Sequence, residues 1–115
     1  EDAHMSSYFV TRSGKGKSTE KHRNYTYEGL ATAFRGRKAD PFVVTIEPLE
    51  GDSRHSANNY SGQEFDYVLE GTLEILIGNK ELILNPGDSI YFDAQQKHCM
   101  RALGGKPVKF LCVVI

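Results

Sequence analysis

The sequence predicts an all-β domain, an antiparallel sandwich or barrel. Short runs of β-prone residues follow one another at close spacing from residue 41 to the end of the chain. The segments between them are turn chemistry: Glu70-Gly71, Gly78-Asn79, Asn85-Pro86-Gly87 and Gly104-Gly105. No stretch carries the apolar spacing of a long helix. With 115 residues the chain is one domain by length and long enough to bury a single core without staples.

Taken in order, residues 1–5 (EDAHM) read as an expression remnant, which makes the rest an excised domain of a longer protein. Residues 6–40 read as N-terminal strands and a basic loop leading into the barrel, and residues 41–115 as the barrel itself. Tyr8–Arg12 (YFVTR) is a short β-prone run. Ser13–Asn24 is polar, basic and glycine-containing, and reads as a loop. Gly16-Lys17-Ser18 imitates the end of a phosphate-binding loop. The glycine that such a loop needs five residues earlier is Thr11, and no amphipathic helix follows, so nucleotide binding is rejected. Tyr25–Phe34 is open between a strand, from the alternation of Tyr25, Tyr27 and Gly29, and a helical turn after Gly29. Pro41–Leu49 (PFVVTIEPL) is a strand stopped by Pro48, and Ser53–Gly62 is a polar loop. Six further strands are predicted at Glu64–Leu69, Thr72–Ile77, Lys80–Leu84, Asp88–Phe92, His98–Leu103 and Val108–Ile115. Pro86-Gly87 suits the central positions of a type II turn, where glycine supplies the positive φ.

The formal net charge of −1 hides an asymmetry. Residues 11–38 carry eight Lys/Arg against Glu20 and Glu28, a net +6; the remainder carries six against thirteen, a net −7. The basic stretch has aromatic neighbours but neither a recognition helix nor a zinc-finger spacing, and reads as solvated. Cys99 and Cys112, without a secretion signal, read as reduced cytoplasmic thiols. No apolar run approaches the roughly 18 residues of a membrane span.

Chemistry concentrates between Gly62 and His98. Strand alternation puts Glu64, Asp66 and Val68 on one face, and His98, Met100 and Ala102 on another. Two facing strands can therefore bring a carboxylate and an imidazole together. Glu64 is followed by six residues and then Gly71; Pro86-Gly87-Asp88 comes before His98, which lies ten residues after Asp88. This spacing resembles the cupin family, a double-stranded β-helix or jelly-roll barrel. The segment EFDYVLEGTLEI with PGDSIYF is similar to the cupins joined to helix-turn-helix domains in bacterial transcriptional regulators. The resemblance covers residues 41–115 well and residues 6–40 weakly.

In metal-binding cupins a His-x-His pair precedes the glutamate. Here three intervening residues put Asn58 and Tyr60 at those positions, and four put Ala57 and Asn59. Neither register supplies imidazoles, so His55, Glu64 and His98 are the most that a metal set contains, and at most a weakly held divalent metal is expected. The resemblance implies instead a ligand site of Asn58, Tyr60, Glu64 and His98 with no catalytic residues. Glu64 paired with Arg54 or Arg101 at the barrel rim is the structural alternative, and Cys99 and Met100 read as packing residues. The expected function is a non-catalytic sensor that binds a polar metabolite in the barrel, pairs as a homodimer, and meets DNA only through a separate helix-turn-helix domain. A small metal-dependent enzyme and a structural dimerisation module are the alternatives.

Overall fold

Residues 7–22, 24–49 and 58–115 are described in a computed structural model, and their regular structure is entirely β. Nine strands follow one another: β1 Lys17–His22, β2 Tyr25–Gly29, β3 Asp40–Ile46, β4 Gln63–Glu70, β5 Thr72–Ile77, β6 Lys80–Leu84, β7 Ser89–Asp93, β8 His98–Leu103 and β9 Val108–Val114. They form a six-stranded sheet in the order β1-β2-β3-β9-β4-β7 and a three-stranded sheet in the order β6-β5-β8. Every pairing is antiparallel. This is the jelly-roll arrangement of the sequence reading.

Alternation decides what each strand buries. On β9, Val108, Phe110 and Cys112 point inward while their neighbours are half-buried. Val44, Ile46, Val68 and Phe110 of the large sheet share one core with Leu73, Ile75 and Leu84 of the small one. The turns are those that glycine permits. The Asp88 amide donates to the Asn85 carbonyl at 2.9 Å, closing the Asn85-Pro86-Gly87-Asp88 turn with φ of 91° at Gly87.

The strands from β3 onward fall within a few residues of their predicted limits. Two readings upstream change, and the open one at Tyr25–Phe34 is decided in favour of a strand, β2. Tyr8–Arg12 forms no strand; Thr11 instead donates its hydroxyl to the Leu30 carbonyl. The polar run read as a loop contains β1, which pairs with β2. Backbone pairing at a sheet edge is blind to side-chain polarity, so KSTEKH adds a strand without an apolar pattern. After Gly29 the chain makes turns and bends and no helical turn. No helix of the described residues is long and apolar enough to cross a membrane.

Candidate functional site

Between the sheets lies a cavity of about 280 Å³. Its polar end gathers Asn58, Tyr60, Glu64 and His98. Its walls are the rings of Tyr25, Tyr27, Phe42 and Phe110 with the Met100 side chain. Glu64 arrives from β4 and His98 from β8, hence from different sheets; they are 5% and 7% exposed. Asn58 and Tyr60 are brought in by backbone bonds. The Asn58 and His98 amides each donate to the other's carbonyl at 2.8 Å, and the Tyr60 amide donates to the Ala94 carbonyl at 2.9 Å.

The side chains then organise one another. The Tyr60 hydroxyl donates to Glu64 Oε1. His98 Nδ1 lies 2.9 Å from the Gln96 carbonyl, which only accepts, so Nδ1 carries a proton and Nε2 faces the cavity. Nε2 stands 4.0 Å from Glu64 Oε1, beyond hydrogen-bonding reach. The edges of Tyr60 and Phe92, at centroid distances of 5.6 and 4.9 Å, hold the imidazole in place.

Beside Glu64 are Asp66, which does not line the cavity, and Cys112, which does; the two are Cα partners across the β4–β9 ladder. One ligand atom from each of Glu64, Asp66 and Cys112 falls within 4.8 Å of the others. Asp66 is fully buried, and neither of its carboxyl oxygens accepts a hydrogen bond among the described residues. Burial, reinforced by Glu64, pushes the Asp66 carboxyl up to about 10. Burial and the neighbouring Glu64 thus both favour the protonated form of Asp66. Burial, then the neighbouring Asp66 and Glu64, pushes the Cys112 thiol up. Burial, then Glu64, raises Tyr60 as well.

This donor set does not fit the metal centre of a metal-binding cupin. Tyr60 and Asn58 stand where two imidazoles are needed, and Tyr60 already donates to the one shared carboxylate. Asp66 and Cys112 would each have to give up a proton held by burial, and Asp66 lies behind the cavity wall, away from an open coordination position. His55 lies outside the described residues, as does Arg54. Arg101 does not serve Glu64: its Nε donates to Glu74 Oε1 at 2.7 Å. Neither Cys99 nor Cys112 is in a disulfide.

The Cupin domain family profile matches residues 42–114. The chain belongs to the cupin domain family. Among solved cupin structures it is similar to hydroxypropylphosphonic acid epoxidase from S. wedmorenis, with TM-score 0.83 and 23% identity over 94% of this chain and 59% of that one. It is likewise similar to an Fe(II) form of HppE holding the alternative substrate (S)-1-HPP, with TM-score 0.83 and 23% identity over 95% of this chain and 60% of that one. An uncharacterized protein of Methanocaldococcus jannaschii is 32% identical over 54 residues, 47% of this cupin and 43% of the relative. This cupin thus spans less than two thirds of each of these proteins.

Site residues that sequence reasoning left out are Asp66, Cys112, Tyr25, Tyr27 and Phe42. Alternation does place Asp66 with Glu64, but only the register of β9 shows that Cys112 faces it. Tyr25 and Tyr27 enter because β2 pairs with β3 in a register that sets Tyr27 opposite Val44. Cys99 and Met100, read as packing residues, both line the cavity.

Proposed function

We propose that this cupin is a non-catalytic ligand-binding domain that holds a small polar metabolite inside the barrel. The observation that supports it best is the convergence of Asn58, Tyr60, Glu64 and His98 on a cavity whose other lining includes the rings of Tyr25, Tyr27, Phe42 and Phe110. A few placed polar groups in an apolar concavity are the signature of small-molecule recognition. The proposed setting is a cytoplasmic bacterial transcriptional regulator, in which occupancy of the barrel biases a helix-turn-helix domain; similarity of the EFDYVLEG segment to such regulators supports this. Ligand binding must then favour one arrangement of paired copies. The exposed Tyr67, Leu69 and Tyr91, on the outer face of β4 and its edge neighbour β7, support pairing of two chains there. A thermal-shift screen of cellular metabolites tests the binding role: a reproducible rise for at least one compound is expected, and its absence across the screen rejects it.

A metal-dependent enzyme is the second reading: Glu64, Asp66 and Cys112 each have a ligand atom within 4.8 Å of the others, though the set departs from that of a metal-binding cupin. Elemental analysis after purification without chelator decides it. Metal far below one equivalent, unrestored by reconstitution with Fe(II), Mn(II), Ni(II) or Zn(II), removes this reading.

A further inference from the structure

Among the described residues no lysine or arginine lines the cavity. Its carboxylates are Glu64 and Asp40. Asp40 stands at the rim and is paired with Arg37. Glu64 is different: 5% exposed, it meets a neutral phenol and, among the described residues, no cation within salt-bridge reach except the imidazole at 4.0 Å. His98 uses Nδ1 to donate to the Gln96 carbonyl and turns Nε2 inward, where it donates to no group among the described residues. In its neutral form, with the proton on Nδ1, the ring offers a lone pair there.

Two acceptors, Glu64 Oε1 and His98 Nε2, therefore face the same space 4.0 Å apart. A single nitrogen placed at ordinary hydrogen-bond distance, about 2.9 Å, from both would subtend an angle of roughly 90°. That is open to an sp³ nitrogen carrying two or more protons. A hydroxyl has one proton and satisfies one acceptor; a carboxylate has none and meets the charge of Glu64. The remaining wall is aromatic: Tyr27 and Phe42 pack edge to face at 5.6 Å, and Tyr25 stacks on Tyr27 at 6.3 Å. Ring faces stabilise a cation and its adjoining methylenes alike.

Building on the binding role above, we propose that the ligand is a small primary alkylammonium, its nitrogen bridging Glu64 and His98 and its hydrocarbon lying against Tyr27 and Phe42. The cavity of about 280 Å³ sits at the small end of ligand pockets, which suits a short amine. The anion that binding domains often take is disfavoured here by Glu64.

Met100 lines the cavity, and the chain holds only two methionines, so its methyl resonance is a direct reporter. Methyl-labelled full-length chain is titrated with n-butylammonium, butan-1-ol, sodium butyrate and n-butyltrimethylammonium. Wild type should bind n-butylammonium at least about tenfold more tightly than the alcohol or butyrate. The trimethyl cation, which keeps the charge but has no N–H, should bind more weakly than n-butylammonium. Glu64→Gln should remove about tenfold of the n-butylammonium affinity. Equal or tighter binding of butan-1-ol or butyrate overturns the ammonium assignment and leaves the binding role standing. No Met100 response to any of the four overturns it too, and the metabolite screen then decides the broader role separately. Should Glu64→Gln fail to fold, the wild-type ranking alone carries the result.

Discussion

Asp66 and Cys112 stand opposite one another across the β4–β9 ladder, each with a ligand atom within 4.8 Å of one on Glu64. The pair costs stability in a pH-dependent way. Burial, reinforced by Glu64, raises the folded carboxyl of Asp66 toward 10 from 3.8. The folded chain then binds a proton that the unfolded chain has lost, so the stabilisation is complete below the unfolded value and declines as pH rises toward the folded one. The slope from this group is at most about 1.4 kcal/mol per pH unit. In the unfolded chain Cys112 and the tyrosines titrate at 9.0 and 10.0, so below pH 8 they add little to this dependence.

Asp66→Asn keeps shape and a donor but cannot ionise. Its melting temperature should therefore vary less between pH 5 and pH 8 than that of wild type, and should exceed wild type at the upper end. A difference of 1 kcal/mol moves the midpoint by roughly 4–8 °C in a domain near this size. Parallel melting curves for the two proteins across that range would show Asp66 to be ionised throughout.

Tyr60→Phe deletes the hydroxyl donated to Glu64 and leaves a buried carboxylate with one partner fewer. A loss of about 1–2 kcal/mol in urea unfolding is expected. The same change in a Glu64→Gln background should cost much less, because no charge is then left unserved. Equal losses in both backgrounds would assign the effect to packing of the ring.

Much of this site could be read before folding, and the unread part has a physical cause. Strands β5, β6 and β8 match their predicted limits because Gly71, Gly78-Asn79 and Pro86-Gly87 punctuate the chain where turn geometry demands it. Glu64 and His98 were legible as inward residues because alternation is local. Cys112 opposite Asp66, and Tyr25 and Tyr27 in the cavity, depend on which strand neighbours which; β4 and β9 are some forty residues apart in sequence, and no local pattern encodes that register. β1 escaped for a different reason: an edge strand gains its backbone bonds without needing buried side chains on both faces.

Gly71 should be the least replaceable glycine of the two that the family spacing shares with this chain. Its φ is 82°, and a β-carbon there would collide with the Pro107 carbonyl. Gly87 has a φ of 91° but open space around it. Gly71→Ala should cost about 2–4 kcal/mol, strain and collision together, and Gly87→Ala about 1–2 kcal/mol, strain alone. Urea midpoints of the two variants, compared at one pH, check the order; equal losses would mean that the Pro107 carbonyl yields.

Glu74 and Arg101 give the sharpest test of how charge is tolerated on the small sheet. They are Cα partners across β5 and β8, Glu74 is 7% exposed, and the Arg101 Nε–Glu74 Oε1 distance is 2.7 Å. Removing one member of a largely buried pair strands the other charge away from water. Arg101→Met alone should therefore destabilise by about 3 kcal/mol. Replacing both, with Glu74→Leu beside Arg101→Met, removes the stranded carboxylate and should return stability to within about 1 kcal/mol of wild type. Neither residue lines the cavity, so ligand binding by the double variant should match wild type. A double variant as unstable as the single one would show that Arg101 contributes through its packed stem instead of its charge.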